Sequence, residues 1–153
     1  MNDKSNTTKI QTLSVFAASV AMLFAGFVYG WSNFSGFFAE AFTWSRTELS
    51  FAFSISITMV AIGSLLCKMF MKDLSLKIKI ILCSILYFVG FIGLSSSESL
   101  LAVYFFYGII CGLASGVIYN IMVTTINSGK SGSSGVSTGI LMMSLGFGGM
   151  IIG

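Results

Sequence analysis

Charged side chains are scarce in this sequence, and histidine and proline are absent. Eight Lys or Arg and five Asp or Glu occur among 153 residues, so 8% of the chain is charged and 56% is hydrophobic. Soluble domains carry about 25% charged residues. With a mean hydropathy of +0.95, this chain has too little polar surface to face water. The composition therefore excludes a soluble enzyme.

The few charges lie at the ends of long apolar runs, and none lies in the middle of one. An ionised residue inside such a run is the usual sign of a proton relay, a metal cluster or an acid–base pair. Because the runs contain none, we expect no catalytic residue, no metal site and no cofactor. The loop from Asn127 to Gly135 contains GKSG but lacks the spacing of a nucleotide-binding loop, so we interpret it as a flexible connection.

Five apolar runs are long enough to cross a bilayer as helices, which needs about 20 residues at about 1.5 Å per residue. An ionised side chain at the membrane centre costs roughly 2.5 to 3.5 kcal/mol, so the gaps between charges mark the candidate spans. The runs do not alternate in polarity, which argues against a membrane barrel. We predict an all-α, polytopic membrane helix bundle with a tail at residues 1–10 and spans near residues 11–34, 49–70, 78–96, 100–123 and 136–153.

Basic residues are distributed unevenly between the two ends of these spans. Only Arg46 falls on one side, whereas the other side carries Lys4, Lys9, Lys68, Lys72, Lys77, Lys79 and Lys130. Because cytoplasmic loops are enriched in Lys and Arg, we predict a multi-pass protein of the plasma membrane with a cytoplasmic amino terminus. The net charge of +3 then reflects topology, and we expect the lipid bilayer, not nucleic acid, as the partner.

Glycines recur at four-residue spacing in the last two predicted spans. The positions are Gly108, Gly112, Gly116, Gly135, Gly139, Gly149 and Gly153. Small residues at this spacing let two helix backbones approach closely in lipid. We predict that they serve helix packing, within the bundle or between this chain and other helices.

Polar side chains inside the predicted spans are the candidates for a substrate cavity. We single out Tyr29, Asn33, Tyr119 and Asn120, whose side chains could hydrogen-bond a small polar ligand. Ser50, Ser54, Thr58 and Ala61 form a stripe of small residues along the second span. Such a stripe serves either helix packing or the wall of an aqueous cavity. Trp31, Tyr104 and Tyr107 are expected to be anchors at the membrane interface.

Several stretches resemble a known transporter family. They are YGWSNFSGFFAEAFTWSRTELSFAFSI (residues 29–57), SLLAVYFFYGIICGLASGVIYN (residues 99–120) and GVSTGILMMSLGFGGMIIG (residues 135–153). These stretches are similar to the first, second, fourth and fifth helices of the oxalate/formate antiporters and related monocarboxylate transporters, within the major facilitator superfamily. Trp44, Ser45 and Arg46 are the most specific match. The resemblance implies the start of a twelve-helix fold that moves a small mono- or dicarboxylate by alternating access.

The resemblance also implies a conformational latch in the loop after the second span, where Asp73 and Lys77 match the family motif. Met69, Leu74 and Leu76 depart from that motif, and Phe37 and Phe38 stand where a Pro-Leu pair is common. The family's substrate-neutralising cations come from the second half of the fold. We therefore expect this five-span, amino-terminal portion to be inactive alone. The alternative is a small standalone scaffold or accessory protein of the membrane.

Overall fold

All regular structure is helical in the computed structural model, which describes residues 2–128 and 134–151 and the side-chain environments of residues 12–128 and 135–151. The prediction of an all-α fold is therefore confirmed. In chain order the elements are α1 (Asn2–Ala25), a 3-10 turn (Gly26–Gly30), α2 (Trp31–Phe42), α3 (Arg46–Phe70), α4 (Leu76–Ser95), α5 (Leu100–Val103), a π-helical segment (Tyr104–Cys111), α6 (Gly112–Ser128) and α7 (Ser134–Ile151).

Four stretches of helix are long and apolar enough to cross a membrane. They are Thr12–Phe42, Arg46–Phe70, Leu76–Ser95 and Leu100–Ser128. These ranges confirm a membrane helix bundle. The fifth predicted span corresponds to α7, whose apolar part, Gly135–Ile151, is shorter over the residues that the structure describes. At about 1.5 Å per residue, an 18-residue helix such as α7 is about 27 Å long.

The first span is longer than the predicted residues 11–34. Helix α1 continues through the 3-10 turn into α2, which ends only at Phe42 because Thr43 adopts a left-handed backbone conformation with φ of 54°. The helix therefore continues eight residues beyond the predicted end of the span at residue 34. The polar Ser32 and Glu40 are exposed on α2 and do not interrupt it.

A capping box fixes the start of α3 after this tight connection. The Ser45 hydroxyl accepts a hydrogen bond from the Glu48 backbone N–H at 3.2 Å, and the Ser45 N–H donates to Glu48 Oε2 at 2.9 Å. These bonds satisfy two backbone N–H groups that would otherwise have no helical partner. The second span therefore begins at Arg46, three residues earlier than predicted.

The fourth span, Leu100–Ser128, forms the centre of the bundle. Half of its most apolar window is buried, compared with 33% or less in the other three spans. It packs against α3, α4 and α1, whereas α7 packs mainly against α1 and the 3-10 turn.

The buried apolar residues form two clusters. One cluster includes Met22, Cys83 and Leu141, and the second includes Trp31 and Tyr107. All three cysteines are buried and form no disulfide bond; they are Cys67, Cys83 and Cys111.

Candidate functional site

Three glycines of the fourth span lie against α3, and we call this contact the glycine seam (Gly108, Gly112 and Gly116). A Cβ atom built at Gly112 would lie 2.7 Å from the Ser56 carbonyl oxygen, and one at Gly108 would lie 2.9 Å from Ile55 Cγ2. At Gly116 it would collide with the Val60 carbonyl oxygen. The two helices can therefore approach this closely only because these positions have no side chain.

The remaining glycines that were predicted to serve helix packing differ in how closely other residues approach them. A Cβ atom at Gly149 would lie 3.2 Å from Tyr29 Cβ, whereas at Gly135 and Gly139 it would meet nothing within 4 Å. Gly153 lies outside the described residues.

A close approach of α7 to the first span was not predicted from the sequence. It is formed by Gly148 and Gly26, since a Cβ on Gly148 would be 2.9 Å from Gly26 Cα. The paired glycines in LGFGG were the available signal, but the four-residue spacing pointed to Gly149.

The stripe of small residues on α3 faces away from the bundle. Ser50, Ser54 and Thr58 are exposed, and so is Ala61. Each hydroxyl donates to the carbonyl four residues earlier, at 2.8, 3.1 and 2.9 Å respectively. The stripe therefore does not pack helices together within the described part of this chain, and its hydroxyls are paired without a neighbouring helix.

Tyr29 and Asn33 belong to the exposed side of the first span. Tyr29, in the 3-10 turn, is 38% exposed, and its ring centroid lies 6.4 Å from that of Phe53 on α3. Asn33 is exposed in the first turn of α2. Successive residues of a helix do not share a face, so Tyr29 contacts α3 at Phe53, beside the exposed stripe and not on it.

Tyr119 and Asn120 occupy the other half of the bundle. The Asn120 amide donates to Ser64 Oγ at 3.1 Å and thereby links α6 to α3, and Thr124 Oγ1 lies 3.4 Å from Asn120 Oδ1. Tyr119 is half-buried and packs against the cluster that contains Met22. The structure thus engages Asn120 in a bridge between helices, whereas Tyr29 and Asn33 lie on the first span, apart from it.

Two aromatic residues that we expected to be interfacial anchors are buried instead. Trp31 and Tyr107 are each 3% exposed, and their rings stack with centroids 4.1 Å apart. Trp31 Nε1 donates to the Leu49 carbonyl at 2.8 Å, and the Tyr107 hydroxyl donates to the Val28 carbonyl at 2.5 Å. The expectation was wrong for this pair because their polar atoms find partners on neighbouring helices.

A polar cavity of about 310 Å³ lies between α2 and α3. Its lining includes Ser32, Ser35, Glu40, Arg46 and Ser50. Arg46 is the only arginine of the chain. The cavity therefore joins the exposed stripe on α3 to one acidic and one basic side chain at the same end of the bundle.

The two residues of the predicted latch lie at the opposite end of α3. Asp73 belongs to the connection between α3 and α4, and Lys77 lies in the first turn of α4. Both side chains are exposed. They are therefore available to a partner beyond the described helices.

No protein-family model matches the chain, and no curated protein or solved structure is significantly similar to it.

Proposed function

We propose that this chain is the amino-terminal part of a secondary active transporter of the major facilitator superfamily, carrying a small organic anion across the plasma membrane by alternating access. The first span, α3, α6 and α7 would supply one half of the cavity wall, and a second helix bundle would supply the other half. The proposal rests on the resemblance described above and on one structural observation, the exposed hydroxyl stripe on α3.

The stripe supports the proposal because its side chains are exposed on a long apolar helix in the described part of the chain. Hydroxyls on the surface of a transmembrane helix commonly face a protein neighbour or water. Ser50 also lines the polar cavity that contains Arg46, the kind of side chain that attracts a carboxylate. A face with hydroxyls along its length, and with the Arg46 guanidinium and the Glu40 carboxylate at one end, suits a small polar substrate better than an apolar one.

Water access to the stripe distinguishes a cavity wall from a surface in lipid. We expect Ser54→Cys in the full chain in liposomes to react with a water-soluble thiol reagent many times faster than Phe88→Cys. The two positions are at similar depth, eight residues from the start of α3 and seven from the end of α4. Phe88 lines an apolar face together with Phe24 and Phe91. Equal reaction rates would contradict a water-lined stripe.

Anion exchange by the chain alone is the second test. The spans hold no cationic residue in their middle, so we expect liposomes containing the full chain to show no saturable exchange of radiolabelled formate or oxalate. Liposomes without protein are the control. Saturable, substrate-specific exchange would contradict the requirement for a second bundle.

A second candidate function, a membrane scaffold or accessory protein, is favoured by the open glycine positions of α7. A Cβ atom at Gly135 or Gly139 meets nothing within 4 Å, so another helix could pack there. Under this alternative, Gly139→Leu reduces cross-linking of the chain to itself in membranes. Gly36→Leu is the control, since Gly36 is equally open but lies on α2. Unchanged cross-linking in Gly139→Leu argues against the scaffold.

A further inference from the structure

A basic cavity of about 330 Å³ opens where the end of α3, the start of α4 and α6 meet. Its polar lining consists of Lys68, Lys72, Lys79, Asn120, Thr124 and Thr125. Cys67 and Ile121, both buried, contribute apolar lining. The cavity thus combines cationic and hydroxyl groups with an apolar floor at one end of the spans.

The three lysines reach this cavity from two helices and the connection between them. Lys68 lies in the last turn of α3, Lys72 follows four residues later, and Lys79 is half-buried near the start of α4. Lys77 belongs to the same segment and is exposed, but it is not among the lining residues. A preference for basic residues on one side of a membrane accounts for the presence of four lysines here, but not for the convergence of three of them on one cavity.

The described lining of this cavity carries positive charge only. No Asp or Glu is among the described lining residues. Three ammonium groups around one space repel each other, and the repulsion is stronger where a side chain is half-buried, as Lys79 is. An anion in the cavity would remove this repulsion.

The other lining groups indicate which anion fits. The Thr125 hydroxyl and the second amide hydrogen of Asn120 lie beside the lysines, and a tetrahedral oxyanion can accept several hydrogen bonds from such a set. Thr124 also lines the cavity, with its hydroxyl directed at Asn120 Oδ1. On α3 and α4 the lining residues lie within three residues of the helix ends. Basic pockets between helices near the ends of membrane spans bind the headgroups of anionic lipids. We propose that this cavity binds a phosphate group, carried either by an anionic phospholipid or by a soluble phosphate ester. The proposal is independent of the transport function.

Lipid composition and single substitutions test this site in the full chain. We expect nanodiscs containing phosphatidylglycerol to raise the unfolding temperature above that in pure phosphatidylcholine, and native mass spectrometry to detect retained phosphatidylglycerol. Lys72→Gln and Lys79→Gln should lower retention several-fold and reduce the temperature shift. Lys77→Gln, which removes the same charge from the same segment outside the cavity, should leave both unchanged. Lys79→Arg keeps the charge and should preserve retention, which separates loss of charge from misfolding.

A second arm separates the two sources of phosphate. Inorganic phosphate and glycerol 3-phosphate are titrated into phosphatidylcholine nanodiscs at constant ionic strength, with chloride as the reference anion. A shift with phosphatidylglycerol alone assigns the site to lipid, and a shift with the soluble phosphates assigns it to a soluble ester. Equal responses of the Lys72→Gln, Lys79→Gln and Lys77→Gln variants, or no response of the unaltered chain to either source, would overturn the proposal.

Discussion

At the scale of single residues, the absence of a side chain at Gly116 lets α6 approach α3. A methyl group there would collide with the Val60 carbonyl oxygen, which belongs to the helix backbone and cannot rotate away. Overpacking of this kind costs typically about 1 to 3 kcal/mol. We therefore expect Gly116→Ala to lower the free energy of unfolding in detergent by that amount, measured by denaturant titration. Gly139→Ala, at an open position, should leave it nearly unchanged, and equal losses in both variants would argue against the seam.

The residues of the candidate site were predictable to different degrees. The four-residue spacing predicted that Gly108, Gly112 and Gly116 share one face of the helix. It did not predict which helix packs against this face, and the structure shows that it is α3. The buried pair of Trp31 and Tyr107 was missed because side chains of this type suit the membrane interface and a buried position equally well. Which of the two applies depends on whether a neighbouring carbonyl, such as that of Leu49 or Val28, is within reach.

At the scale of single elements, the start of α3 depends on its capping box. Ser45→Ala removes the hydroxyl that accepts from the Glu48 N–H, and the loss of such a cap costs about 0.5 to 2 kcal/mol. Ser75→Ala is the matched control, because Ser75 precedes α4 but makes no side-chain capping hydrogen bond. We expect thermal unfolding, followed by circular dichroism, to shift downwards in Ser45→Ala and hardly at all in Ser75→Ala. A larger shift in the control would contradict this role of Ser45.

Most of the secondary structure could be predicted from the distances between charges. Ionised groups are tolerated at the ends of helices in lipid and are costly in the middle, so each uncharged run had to contain a helix. The ends of the helices were less predictable, because a helix can continue past Ser32 and Glu40 when these side chains lie on its exposed side. The end at Phe42 depends instead on the backbone conformation of Thr43.

At the scale of the whole molecule, the connections at residues 71–75 and 96–99 lie at opposite ends of α4, a helix of 20 residues. The predicted orientation assigns residues 71–75 to the cytoplasm. We expect an impermeant maleimide to label Glu98→Cys in intact cells, and Asp73→Cys only after permeabilisation. The three natural cysteines are buried, so the unaltered chain should give a low background. The reverse labelling pattern would contradict the predicted orientation.

The central location of the fourth span has a consequence for biosynthesis. The segments α3 and α4 follow each other in the chain, yet each packs mainly against the fourth span and not against the other. If the spans enter a bilayer in chain order, we therefore expect that the α3–α4 hairpin gains little packing of its own. We expect most of the tertiary contacts of α3 and α4 to form only after residues 100–128 have been synthesised.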